Sequence, residues 1–181
     1  MRVAITGGIA EGKSTVLGYV RELGIPTASA DEIAREVFQS GEVQELIGIC
    51  LNLATPVAPA EVRKRIRSDF STRRALNAIT HPKILARIRK SEAIFFEVPL
   101  LVETCLFAEF DRIWVVTCGA EEQIARLVKR LGNEPEARSM IATQLPSEVK
   151  TAFADQIVRT NHSELTVKHF VHSAVADEIG E

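Results

Sequence analysis

Cysteine is scarce in this chain, and Cys50, Cys105 and Cys118 stand far apart with no C-x-x-C pair. That spacing argues against a disulfide scaffold and predicts reduced thiols, packed as small core hydrophobes in a cytosolic protein. Also missing is any apolar run long enough to span a bilayer. No signal peptide is expected, because an apolar strand begins within the first residues. A soluble, cytoplasmic protein follows as the expectation. Nor is there an excess of charge of one sign: 22 Lys and Arg against 24 Asp and Glu leave a formal net charge of −2. That excludes a general nucleic-acid coat or a membrane-surface protein, so neither nucleic acid nor membrane is expected as a partner. Internal repeats and low-complexity segments are absent as well.

What remains is an ordinary globular composition, 46% hydrophobic and 25% charged over 181 residues. It suits one domain with room for a small inserted subdomain. The most informative stretch is Gly7-Gly8-Ile9-Ala10-Glu11-Gly12-Lys13-Ser14, which fits G-x-x-x-x-G-K-[ST]. A β-branched apolar run at 2–6 feeds it, and Val16, Leu17, Val20 and Leu23 follow at helical spacing. In that context the backbone amides from Gly8 to Thr15 and the positive helix end cradle phosphate. Lys13 reaches the β- and γ-phosphates, and the Ser14 hydroxyl ligates Mg²⁺. Glu11 is the odd member: a carboxylate beside a triphosphate is repulsive, so its side chain is expected to point to solvent.

Further strands are predicted at 25–28, 94–98, 111–117 and 154–158, alternating with helical segments. The fold class is therefore α/β, with a five-stranded parallel sheet covered on both faces. Residues 52–59 hold two prolines and read as the least regular stretch. The region 60–90 is helical, with His81 as a junction and Pro82 as a fresh helix start. Ten basic residues lie in 61–90, among them Arg63, Arg65 and Arg67, against only Glu61 and Asp69. That surplus suits a polyanionic substrate, although a solvated helical face explains part of it.

A phosphate loop alone does not choose among kinases, hydrolases and switches. A guanine-reading N-K-x-D is missing, since Asn161-His162-Ser163-Glu164 does not fit. A small-molecule kinase remains, and it needs an acceptor-orienting group, a metal-holding carboxylate and closing cations. Asp31, after the second strand, is the candidate for the first, or else a helix cap ion-paired with Arg35. Glu97 ends an apolar strand as a candidate Mg²⁺ ligand, or else as a carboxylate with a structural partner. Arg126, Lys129, Arg130 and Arg138 flank Gly132-Asn133-Glu134-Pro135, a hinge that suits either a lid or a plain helical hairpin.

Several blocks, in order, resemble the dephospho-coenzyme A kinase family. They are Thr6-Gly7-Gly8-Ile9 with Gly12-Lys13-Ser14-Thr15, Ala30-Asp31-x-Ile33-Ala34-Arg35, His81-Pro82-x-Ile84 and Pro99-Leu100-Leu101-Val102-Glu103. The Gln123 to Arg130 helix, Gln144, and Ala154-Asp155 with Asn161 complete the set. The resemblance implies ATP-dependent phosphorylation of the ribose 3′-hydroxyl of dephospho-CoA, the last step of coenzyme A biosynthesis. It also implies a P-loop three-layer sandwich with a helical acceptor subdomain and a lid. In this chain the core would be 1–38, 92–119 and 154–181, the acceptor insert about 39–91 and the lid about 120–153. By the same resemblance Asp31 is the base or orienting group. Arg35, His81 and Arg63 serve the acceptor. Arg130, assisted by Arg138, steadies the transferring phosphoryl. ATP and dephospho-CoA are the expected partners and Mg²⁺ the expected cofactor.

The chain also departs from the family pattern. Ser29-Ala30-Asp31 replaces an Asp-Ala-Asp triplet, which predicts weaker metal binding or compensation by Glu97. Ala10-Glu11 replaces the usual Gly-Ser or Ala-Ser. Residues 52–59 read as a shortened segment, and Arg130-Leu131 replaces Arg-Asp. Two alternatives stay in view: another small P-loop nucleoside or nucleotide kinase, and a catalytically weakened ATP-binding sensor, the latter motivated by Ser29, Glu11 and the shortened 52–59 region.

Overall fold

Val3, Ala4, Ile5 and Thr6 are all buried, so the first strand presents side chains that need cover on both faces. The computed structural model describes residues 1–180, apart from the side chains of Arg67 and Ser68. In chain order the elements are β1 (Val3–Thr6), α1 (Lys13–Glu22), β2 (Thr27–Ser29), α2 (Ala30–Gln39), α3 (Gly41–Leu51), α4 (Pro59–Ser68) and α5 (Phe70–Lys90). They continue with β3 (Phe95–Glu97), β4 (Arg112–Thr117), α6 (Ala120–Leu131), α7 (Glu134–Ile141), α8 (Ser147–Thr151), β5 (Gln156–Arg159) and α9 (Glu164–Ile179). The chain divides into two compact units, one of Met1–Ser29 with everything from Glu92 onward, the other Ala30–Ser91.

The first unit carries the expected five-stranded, all-parallel sheet, in the order β2-β3-β1-β4-β5. One face is sealed by α1 and α9, with Val16, Leu17 and Val20 meeting Val171 and Val175 over Val3, Ile5, Phe95 and Trp114. Each of these side chains, taken fully out of water, contributes about 1.5–3 kcal/mol. Phe95 and Trp114 meet edge to face at 5.2 Å, the geometry favoured by ring quadrupoles. The opposite face is equally dry, with Ala4, Phe96 and Val115 fully buried.

Two strands sit slightly off their expected places. The second begins at Thr27 because Pro26 has no amide to pair; its carbonyl instead accepts from Ile94 at 2.9 Å. The last begins at Gln156 because Asp155 donates its amide to Ile113 and accepts from the Ile113 amide through its carboxylate, both at 2.8 Å.

The second unit is helical. Val37, Val43, Ile47, Leu51, Val57 and Val62 form its core, with Leu76, Ile79 and Ile84 packed against it. Here the reading of 60–90 needs correction. The break falls at Asp69, whose carboxylate accepts from the amides of Ser71 and Thr72 as the N-cap of α5. Helix α5 then runs straight through His81 and Pro82. Proline removes one intrahelical hydrogen bond, but Leu76 and Ile79 before it and Ile84 after it pack against one core, burial that offsets the loss.

The cysteines also need correcting. Only Cys118 is buried, and burial pushes its thiol up to about 11; Cys50 and Cys105 are exposed. Among the described residues, no helix is long and apolar enough to cross a membrane.

Candidate active site

The phosphate-loop sequence joins the carboxyl end of β1 to the N-terminus of α1. Its first glycine passes so close to β4 that a Cβ at Gly7 would collide with the Val116 carbonyl. Gly12 caps α1 with a φ of 93°, a conformation that costs a side-chain-bearing residue about 1–2 kcal/mol. Ala10 takes the same region at 63° without being glycine. Lys13 is buried, and its ammonium donates to the Gly8 carbonyl at 2.8 Å.

Glu11 contradicts its expectation. Its side chain is 1% exposed and turned away from solvent. One carboxylate oxygen accepts from the Gly8 amide and, at 2.6 Å, from the Ser147 hydroxyl; the other accepts from Thr117 at 3.0 Å. The expectation weighed only repulsion from a triphosphate. Three donors behind the loop reverse the outcome, since a carboxylate fully supplied with hydrogen bonds is tolerated out of water.

The rest of the loop's rear is equally committed. Gln144 accepts from the Ile9 amide and Gln123 donates to the Ile9 carbonyl, each at 2.9 Å. Thr160 donates to the Glu11 carbonyl at 2.7 Å. Lys150, fully buried, reaches the Gly7 carbonyl at 3.5 Å, the Pro99 carbonyl at 3.2 Å and the Glu103 carboxylate at 2.9 Å. Burial would push the Glu103 carboxyl up, yet the hydrogen bond from Lys150 and the amides around it hold it below its usual value. By contrast, the first amides of α1 have no intrahelical acceptor, as in any helix, and these point the loop's binding capacity forward.

Ser14 and Glu97 come together at the sheet edge. Register places Glu97 beside Ile5 on one side and Ser29 on the other. The Ser14 hydroxyl donates to both Glu97 oxygens, at 3.1 and 3.3 Å. A hydroxyl and one carboxylate are hard oxygen donors, the set that suits Mg²⁺ completed by water and phosphate oxygens. Among the described residues there is no group of three or more His, Cys, Asp or Glu able to hold a metal by itself. A hydroxyl and one carboxylate would need further oxygen ligands from outside the chain to complete a Mg²⁺ shell.

Beside the loop lies a cavity of about 360 Å³, lined in part by Gly12, Thr15, Tyr19, Arg126, Thr160 and His162. Arg126 is fixed there by Thr160, donating to its hydroxyl at 3.1 Å and its carbonyl at 2.7 Å. The sequence reading placed Arg126 only at the hinge and overlooked Tyr19, Thr160 and His162 as site residues. No local pattern ties them to the loop; they meet it through the sheet order.

The remaining candidates are more dispersed. Asp31 is exposed in the first turn of α2, two residues beyond β2, with Arg35 one turn on. Asp31 lies within the first turn of α2, and no Asp31–Arg35 ion pair is present among the described residues. His81 is half-buried within α5, and Arg63 is exposed on α4. Part of the basic surplus is already paired: Lys83 with Glu42, Arg87 with Glu36 and Arg65 with Glu61. The Arg67 side chain lies outside the described residues. In the hinge, Gly132 ends α6 with a φ of 71° and Asn133 caps α7. Arg130 is exposed, while Arg138 is held by Glu134 at 2.8 Å.

A phosphate loop at the carboxyl end of the central strand, with a carboxylate on the next strand beside its serine, defines a P-loop kinase fold. The family model for dephospho-CoA kinase matches residues 1–166, and the chain belongs to that family. A dephospho-CoA kinase of Shouchella clausii is 33% identical over 97% of this chain and 98% of its own length. Among solved structures, a Thermus thermophilus protein superposes with a TM-score of 0.84 at 26% identity, covering 98% of this chain and 97% of that one. The dephospho-CoA kinase of Campylobacter jejuni shares the fold, with a TM-score of 0.73 at 22% identity and coverage of 97% and 96%.

Proposed function

We propose that this chain transfers the γ-phosphoryl group of ATP to the ribose 3′-hydroxyl of dephospho-CoA, giving coenzyme A. The observation that carries the reading is the convergence of Lys13, Ser14 and Glu97 at the end of β1, in a chain matched by its family model over 1–166. In this reading the loop amides from Gly8 to Thr15 and the α1 N-terminus receive the phosphates. The cavity beside Arg126 and His162 takes the nucleoside half of ATP. Lys13 exchanges the Gly8 carbonyl for β- and γ-phosphate oxygens.

Ser14 and Glu97 would hold Mg²⁺, which neutralises phosphate charge when bound. Asp31 orients the acceptor hydroxyl and accepts its proton as the new P–O bond forms and the bond to ADP breaks. Arg35, His81 and Arg63 grip the acceptor, whose pyrophosphate gives the basic surplus a purpose. Arg130 and Arg138 steady the transferring group when the α6–α7 hinge closes, which for Arg138 means releasing Glu134. A cytoplasmic location belongs to this reading, supported by three cysteines that form no disulfide.

An acceptor panel with labelled ATP tests the reading. Dephospho-CoA should be phosphorylated well above nucleosides, nucleoside monophosphates and shikimate. A preferred nucleoside or nucleotide acceptor would reassign the chain to another small P-loop kinase. Tight ATP binding without transfer would favour the sensor reading motivated by Ser29, Glu11 and the shortened 52–59 region.

A further inference from the structure

We propose that Glu11 is a positioning residue, whose buried carboxylate fastens the Gly7–Gly8 peptide to β4 and α8 and so sets the cradle before nucleotide arrives. The proposal rests on the reading of this loop as the ATP site. Glu11 is itself a member of the loop, yet its side chain turns to the rear, where Gly8, Thr117 and Ser147 all donate to it. Its own carbonyl is held by Thr160 at 2.7 Å, so main chain and side chain are both fixed. The donors to its carboxylate are an amide and two hydroxyls.

The direction of the grip matters. Both polar atoms of the Gly7–Gly8 peptide are answered from α8. Lys150 reaches the Gly7 carbonyl directly, at 3.5 Å, and Ser147 reaches the Gly8 amide through Glu11. An amide committed to the rear cannot rotate forward, so the peptide plane is fixed and the turn that follows inherits its orientation. A serine or alanine at position 11 has no reach to bridge Gly8, Thr117 and Ser147 together.

A cavity of about 160 Å³ lies behind the loop, lined in part by Glu11, Gln123, Gln144 and Ser147. Glu11 borders this cavity, so removal of its carboxylate would leave a larger void with polar walls. The same geometry accounts for the tolerance of a negative residue in a phosphate loop: its charge is spent on three donors facing away from the nucleotide.

The test measures Mg-ADP affinity by calorimetry together with steady-state kinetics on the full chain. Glu11→Ala should weaken ADP binding and raise the ATP KM about tenfold, the loss expected for hydrogen bonds to a charged group. The KM for dephospho-CoA should move by less than about twofold, a split that general destabilisation does not produce. Glu11→Gln keeps an acceptor for Gly8 and should recover most of the loss. Ser147→Ala should cost about threefold alone and nothing further in the Glu11→Ala background, because the two act through one contact.

The proposal is overturned if Glu11→Ala binds ADP as wild type does, or if Ser147→Ala is fully additive. Tighter nucleotide binding by Glu11→Gln than by wild type would also overturn it, showing a charge that repels and not a clasp that positions. Should Glu11→Ala fail to fold, Ser147→Ala and Thr117→Val decide the matter by the same measurement. Because ADP affinity does not depend on the acceptor, a chain that binds ADP but leaves dephospho-CoA untouched refutes the functional reading alone.

Discussion

Ser14 and Glu97 are 83 residues apart in sequence, yet the serine hydroxyl donates to both oxygens of the glutamate at 3.1 and 3.3 Å. The pairing follows from parallel register: β3 lies beside β1, and Glu97 is level with Ile5 as the chain enters the loop. A hydroxyl and a carboxylate at the end of a phosphate loop are hard oxygen donors, the pair proposed above to hold Mg²⁺.

Glu97→Gln is accordingly expected to shift the Mg²⁺ dependence of turnover to higher concentration, by about tenfold, since one charged ligand is lost. A Mg²⁺ titration at saturating ATP reads this directly. An unshifted titration would leave Glu97 as a strand-end carboxylate whose partner is Ser14 and nothing more.

Asp31 is assigned to the acceptor proton, and the assignment separates turnover from binding. Asp31→Asn should lower kcat by about 100-fold or more, the usual range for a general base. The ATP KM should stay within about twofold, because only the transition state is affected. Near-wild-type kcat in this variant would remove Asp31 from the chemistry.

Lys150 tests the rear of the loop from the side of stability. It is fully buried between the Gly7 and Pro99 carbonyls and the Glu103 carboxylate. Truncation to alanine strands that carboxylate, and breaking a buried pair in this way costs about 3–5 kcal/mol. Denaturant unfolding of Lys150→Ala should show that loss as a lower midpoint.

The cap of α5 gives a pH signature. Hydrogen bonds from Thr72 first and Ser71 second hold the Asp69 carboxyl at about 2, below its ordinary 3.8. A folded-state value below the unfolded one means the stabilisation is complete above about pH 4 and is lost as pH falls toward 2. Asp69→Asn, which still caps but does not titrate, should flatten the stability profile in that window alone. An identical profile in both proteins would contradict the assignment.

Much of the fold was legible in the sequence because parallel strands are short apolar runs and helices repeat on one face. The loop with Lys13 and Ser14, the order of elements and the helix break at Gly132 and Asn133 all carry local signals. Pro82 was misread because a proline in isolation ends helices, whereas here Leu76, Ile79 and Ile84 dock both halves on one core. Glu11 was misread for a related reason. Its fate depends on Thr117 and Ser147, more than a hundred residues away, and no spacing rule foretells that they converge. Tyr19, Thr160 and His162 were likewise hidden, since a cavity wall assembled from separate elements has no period in the sequence.

The central claim is phosphoryl transfer to one particular hydroxyl, and one measurement addresses it most directly. The chain is incubated with ATP, Mg²⁺ and dephospho-CoA, and the new phosphate is located by phosphorus NMR. The account predicts a monoester on the ribose 3′-oxygen, formed one for one with ADP. Phosphate released to water, or ATP bound and left intact, would contradict it.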